Sequence, residues 1–245
     1  MKLKKLIFFL LIPFGIGVCS AQGYYRNGII TCFTPTFYSF NYGDLQTNLQ
    51  KSTIMGPDFK LNSTGSSLGG DAILTFLGKK RRIMLSMGVV AMNSSQSVNA
   101  NGMVRFFSGS ATLGVSYLIV NSQKWMLETY LKYGGGHMEM TIRNDKSSIM
   151  EVDKENNFVI TPLSSEKLVR YFSVLELGIR MNRIFKNTAG PIAGLEIGYA
   201  YTFPTSPAYD SFEKEIHSLG NNNLSYFFFK IPIGFGAFTK NEDSK

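Results

Sequence analysis

Trp125-Met126-Leu127-Glu128-Thr129-Tyr130-Leu131-Lys132-Tyr133-Gly134-Gly135-Gly136 reads as two interleaved sequences. Trp125, Leu127, Thr129, Leu131 and Tyr133 hold one parity. Met126, Glu128, Tyr130, Lys132, Gly134 and Gly136 hold the other. A pleated strand sends alternate side chains to opposite faces, so this stretch is a strand with one apolar face and one that mixes charge with glycine.

The same division recurs along the chain. Leu113, Val115 and Tyr117 oppose Ser110, Thr112, Gly114 and Ser116. Leu175, Leu177, Ile179 and Met181 oppose Glu176, Gly178, Arg180 and Asn182. Leu195, Ile197 and Tyr199 oppose Gly194, Glu196 and Gly198, while Phe227, Phe229, Ile231 and Ile233 oppose Lys230, Pro232 and Gly234.

Eight segments carry strand character: Gly28–Phe40, Leu68–Leu77, Arg82–Asn93, Met103–Val120, Lys124–Ile142, Leu168–Phe185, Pro191–Phe203 and Leu224–Thr239. The connections between them alternate in length. Short turns at 78–81, 121–123 and 186–190 separate long polar loops at 41–67, 94–102, 143–167 and 204–223. An even strand count with short turns at one end and long loops at the other is the pattern of an all-β, eight-stranded antiparallel up-and-down transmembrane β-barrel. Both termini and the short turns then lie on the periplasmic side. Helical periodicity is confined to Tyr209–Leu219 in the last loop.

Glycine decides which face is enclosed. On a solvated strand face it costs backbone entropy and packs nothing. Inside an eight-stranded barrel, where side chains fill the interior, small residues make room for long ones. The Gly-rich face is therefore expected to line the lumen. It carries four acids, Asp71, Glu128, Glu176 and Glu196, and three bases, Lys132, Arg180 and Lys230. Unpaired buried charges are costly, so a salt-bridge network across the lumen is expected. That network reads as a structural plug in preference to an ion or proton path.

The N-terminus reads as an export signal. Met1-Lys2-Leu3-Lys4-Lys5 is a basic n-region, Leu6–Val18 is apolar, and Cys19-Ser20-Ala21 supplies small residues for cleavage. The apolar run is too short to span a bilayer. The expected organisation is a signal peptide at 1–21 followed by a single barrel domain at 22–245. Lipidation of Cys19 is a minor alternative, because Val18 is bulky for that processing. Of the 245 residues only two are cysteine, and removal of the signal leaves Cys32 alone, so no internal disulfide can form. Mean hydropathy near zero fits a soluble protein or a membrane barrel equally, since alternating faces average out.

Charge and aromatic placement support a membrane. Trp125, Tyr117 and Phe235 lie toward the turns, and Tyr133, Tyr171, Tyr199, Tyr201 and Phe227 toward the loops, as two interfacial girdles would. Lys79, Lys80, Arg81 and Arg82 form a basic periplasmic rim suited to anionic headgroups. On an exported chain this run is no nucleic-acid patch.

No catalytic constellation stands out. The two histidines, His137 and His217, are far apart, Gly134-Gly135-Gly136 opens no helix, and no nucleophile elbow is present. No metal site, cofactor or enzymatic activity is expected. His137 and Glu139, on the outward face near the rim, are the best candidates for a lipid-modifying enzyme. A soluble lipocalin-like binding barrel is a further alternative, which would turn the Leu, Ile and Phe faces inward.

The topology resembles the small OmpA/OmpX-type barrels, the outer membrane protein beta-barrel domain families, over nearly the whole mature chain. That resemblance implies a cell outer-membrane scaffold with variable loops and surface-interaction roles. Its expected partners are outer-membrane lipids, lipopolysaccharide and an extracellular partner reached through the loops. Such barrels commonly end in an aromatic residue, whereas Phe238 here is followed by seven further residues.

Overall fold

The computed structural model describes residues 25–42, 46–47, 50, 57–77, 82–94, 97–99, 102–122, 124–144, 149–152, 158–161, 165–186, 188–206, 208–209, 215–216 and 224–240. These residues form eight long antiparallel strands. They are β1 (Tyr25–Phe33 continued by Thr36–Asn41), β2 (Thr64–Leu77), β3 (Arg82–Ser94), β4 (Gly102–Asn121), β5 (Trp125–Asn144), β6 (Ser165–Ile184), β7 (Ala189–Pro204) and β8 (Ser225–Lys230 continued by Ile233–Lys240). Each pairs with its neighbour in sequence, and β8 closes back onto β1. The up-and-down barrel expected from the alternation is what the chain forms.

Two strands are interrupted where proline removes a donor, and the interruptions face each other. Thr34-Pro35 in β1 lies beside Ile231-Pro232 in β8, where the Ile231 amide donates to the Pro35 carbonyl at 2.9 Å. The Gly194 amide donates to Pro232 at 2.8 Å, so the seam stays bonded on its other side.

The register fixes the stagger. Following paired residues round the ring from Gly28 leads through Thr75, Met84, Ser116, Tyr130, Gly178, Gly198 and Phe228 to Tyr38, ten residues further along β1. Closure with that stagger requires the strands to lean roughly 35–45° from the barrel axis. Residues level with one another are consequently offset from their register partners.

The apolar parity points outward. Leu113 is 66% exposed, Phe227 63% and Ile197 62%, with similar residues on every strand. The lipocalin-like alternative required these side chains inside and is overturned. The opposite parity is buried, and glycine makes the room. A Cβ at Gly178 would stand 2.5 Å from the Tyr130 hydroxyl and 2.7 Å from the Ile197 carbonyl. Gly178→Val is therefore expected to destabilise the barrel by about 1–3 kcal/mol. The fraction running as the compact form on unheated gels should fall accordingly.

The loops hold two surprises. Within Tyr209–Leu219 the described residues are strand, with Ala208–Tyr209 pairing against Glu215–Ile216, so the helical expectation fails there. Two-residue pairing supplies hydrogen bonds that a short polar stretch cannot gain from a marginal helix. The third loop carries its own hairpin, Ile149–Val152 against Phe158–Thr161. The export signal, Cys19 and the turn residues Lys79, Lys80 and Arg81 lie outside the described residues.

Candidate functional site

The seven charged residues expected inside the lumen are all buried there. Register brings some of them together directly. Arg180 stands opposite Glu128 on β5 and Glu196 on β7, and Glu196 stands opposite Lys230 on β8. Arg180 is the hub: its Nε donates to Glu196, its Nη1 lies 3.4 Å from Glu128, and its Nη2 reaches Asp71 at 3.1 Å.

Other pairs follow the strand lean and not the register. Lys132 is the register partner of Glu176, yet its ammonium sits on Asp71 at 2.7 Å. Glu176 is instead held by Lys230 at 2.6 Å, and Lys230 also lies 3.0 Å from Glu196. Tyr130 is a member that the charge pattern did not select. Its hydroxyl donates to Glu196 at 2.7 Å, with Glu176 3.2 Å away, and its ring lies beneath Lys132 and Arg180. Its inward parity between Glu128 and Lys132 was the available signal.

Four acids against three bases leave one excess negative charge, and Glu128 holds the weakest place. One of its oxygens lies 3.4 Å from Arg180, and the other, on the side of Ser116, makes no hydrogen bond of ordinary geometry among the described residues. Ser86, Ser116 and Asn182 also present unpartnered buried polar atoms. Buried groups of this kind are commonly satisfied by water. Glu128→Gln removes the excess charge while keeping the shape. We expect it to leave stability unchanged or to raise it by up to about 1 kcal/mol, read from urea unfolding in lipid vesicles.

Apolar layers bound this charged belt on both sides. Toward the turn end, Ile30, Ile73, Met84, Leu118, Met126 and Ile192 pack into a buried cluster. Toward the loop end the inner wall turns aromatic. Tyr38, Phe40 and Tyr42 climb β1 with successive ring centroids 5.6 and 5.5 Å apart, and Phe106 stacks on Tyr42 at 5.4 Å. The first loop covers part of this wall: Phe59 is 0% exposed and packs with Leu61 against it. Gln46 and Gln50 bond the Phe59 carbonyl, and the Tyr42 hydroxyl donates to that of Asn62.

Beside this roof, between β1 and β4 through β8, lies a cup of about 40 Å³. Phe40, Phe106, Met138, Phe172, Leu224 and Tyr226 supply most of its wall, and Arg170 is its one charged lining residue. The residues of this cup lie beyond the Gly-rich and charged part of the inner face, where no charge pattern in the sequence marks them. Phe106, Met138 and Phe172 share the inward parity, so counting each strand to its loop end would have found them.

The rim histidine has a different setting. His137 packs against Phe107 with ring centroids 6.2 Å apart, and Glu139 is paired with Lys167 at 2.8 Å. Among the described residues no cluster of His, Cys, Asp or Glu could hold a metal ion. At the turn end, Arg183 lies over Trp125 at 5.6 Å and Phe185 at 5.3 Å on the outward face. Of the basic rim, Arg82 is described, and its guanidinium donates to the Ile119 carbonyl at 3.3 Å.

No family model matches the chain, and no curated protein matches its sequence. Solved structures of similar shape include Ail, the attachment invasion locus protein of Yersinia pestis, with a TM-score of 0.46 at 8% identity, covering 86% of this chain and 99% of that one. OprG of Pseudomonas aeruginosa gives 0.39 at 13% identity, covering 90% and 99%. Neisserial surface protein A gives 0.38 at 6% identity, covering 86% and 97%. At those scores the barrel assignment rests on the closed ring of paired strands in the chain itself.

Proposed function

We propose that the protein is an exported outer-membrane barrel that anchors its long loops at the cell surface and does not conduct. One observation carries this reading: a closed sheet with large apolar side chains on its outside and paired charges within. In water such an exterior would be an aggregation surface far larger than soluble monomers expose. In a bilayer it is the lipid-facing band, and closure removes every unpaired strand edge.

The girdle residues support the same placement. Trp125 and Phe185 flank Arg183 where the apolar band ends, a combination suited to the headgroup level. On this reading the basic turn residues Lys79, Lys80, Arg81 and Arg82 meet anionic inner-leaflet lipids. Lipopolysaccharide surrounds the loop end, and a partner engages the loops. The salt-bridge network acts as a plug that fixes register and fills space, with apolar layers above and below it.

Membrane fractionation, with gels of unheated and boiled samples, tests the placement. The protein should sediment with outer membranes and change mobility on boiling. Recovery as a soluble periplasmic protein would sink the proposal. In planar bilayers the reconstituted barrel should show no stepwise conductance, because its lumen is closed by Arg180 and its partners.

A further inference from the structure

At the turn end one arginine interrupts the apolar outward parity of β6. Met181, Arg183 and Phe185 share that parity, and Arg183 is exposed. Its guanidinium carbon lies 5.6 Å from the ring centre of Trp125 on β5 and 5.3 Å from that of Phe185. Aromatic contact holds such a group in place yet offers no oxygen to its N–H fork. Among the described residues no carboxylate stands on the outward face of β5, β6 or β7 at this end.

The surroundings add a second charge and a space. Lys124 is exposed, and its carbonyl accepts the Ile184 amide at 2.8 Å, which sets it beside Arg183 on the last rung between β5 and β6. On the other flank, the register partner of Arg183 is Ala193 on β7, and that of Ala193 is Ile233 on β8, 53% exposed. Ala193 is thus a low point between two tall neighbours. Pro191 continues it toward the turns, between Phe185, whose amide bonds its carbonyl, and Phe235. A headgroup can reach the fork from this side without displacing a ring.

Charge narrows the occupant. The notch lies where the apolar band ends, at the headgroup level of the inner leaflet. Two cations and no acid favour a phosphodiester with net negative charge. A zwitterionic headgroup would bring an ammonium to a place that offers it no anion.

We propose that Arg183, with Lys124, binds the phosphate of an anionic glycerophospholipid, of the phosphatidylglycerol kind, in the notch over Ala193 and Pro191. This rests on the outer-membrane reading and makes one stretch of the lipid-facing band selective.

Trp125, the single tryptophan of the chain, reports on the site directly. The full mature chain is refolded into phosphatidylcholine vesicles containing a rising share of lipid brominated near the top of one acyl chain. That lipid is either phosphatidylglycerol or phosphatidylcholine, and quenching is normalised to unbrominated vesicles of the same composition. Brominated phosphatidylglycerol should quench Trp125 at about a fifth of the mole fraction that the phosphatidylcholine needs. Arg183→Gln should bring the two lipids within about twofold of each other. Lys186→Gln removes the same charge from a side chain whose stem lies across Gly190, on the lumen parity, and should keep the preference. The boiling-dependent gel shift certifies that each variant is folded. Equal quenching by both lipids in the wild type would overturn the site and leave the membrane reading standing. Quenching by neither would overturn both. An equal loss of preference in Lys186→Gln and Arg183→Gln would mean diffuse surface charge and would also overturn it. Inorganic phosphate at matched ionic strength should change nothing; if it abolishes the preference, the site belongs to the free anion and the choice of a lipid is wrong.

Discussion

Arg180→Met will lower the unfolding free energy of the barrel by about 3–5 kcal/mol, measured by urea titration in lipid vesicles. Arg180 is 1% exposed and engages Asp71, Glu128 and Glu196, so its loss leaves three carboxylates with Lys132 and Lys230 as the cations of the belt. The cost comes from stranding those anions, since methionine fills much of the vacated volume. Adding Glu128→Gln and Glu196→Gln to Arg180→Met should therefore recover a substantial part of the loss. If Arg180→Met alone unfolds at the wild-type urea concentration, the belt does not hold the barrel together.

Ile197→Arg will cost about 2–4 kcal/mol in the same assay, the penalty of an arginine facing lipid near the bilayer midplane. Ile197 is 62% exposed, lies between Ile179 on β6 and Phe229 on β8, and follows Glu196 of the belt along β7. The sign separates two environments. On a water-facing surface this substitution would be neutral and would improve solubility. A folded Ile197→Arg variant as stable as wild type would show that water, not hydrocarbon, covers that side of the sheet. Arg183, on the same parity but at the turn end beside Trp125, marks the level at which such a side chain is tolerated.

Much of this was legible in the residues. Parity in β5 separates Leu127 and Leu131 from Glu128 and Lys132, and the structure places the first pair outward and the second pair inside. The strand count and the alternation of short and long connections gave the barrel. The weak points were local. Tyr209–Leu219 has a helical pattern, but its described residues are strand, with Tyr209 paired to Glu215 and to Val169 of β6. The interruptions at Pro35 and Pro232 could have been read, because each lacks the amide that a ladder requires.

Parity is a property of neighbouring peptide units, so sequence alone settled which residues point outward and which face the lumen. It also settled that four acids and three bases share one interior. The stagger of ten exists only once β8 meets β1, and it decides the pairing within the belt. Because the strands lean, Lys132 reaches Asp71 and leaves its register partner Glu176 to Lys230. The same closure brings Phe40, Phe106, Phe172 and Tyr226 from separate strands around one cup beside Arg170. No local period encodes how a ring closes, because closure depends on residues far apart along the chain.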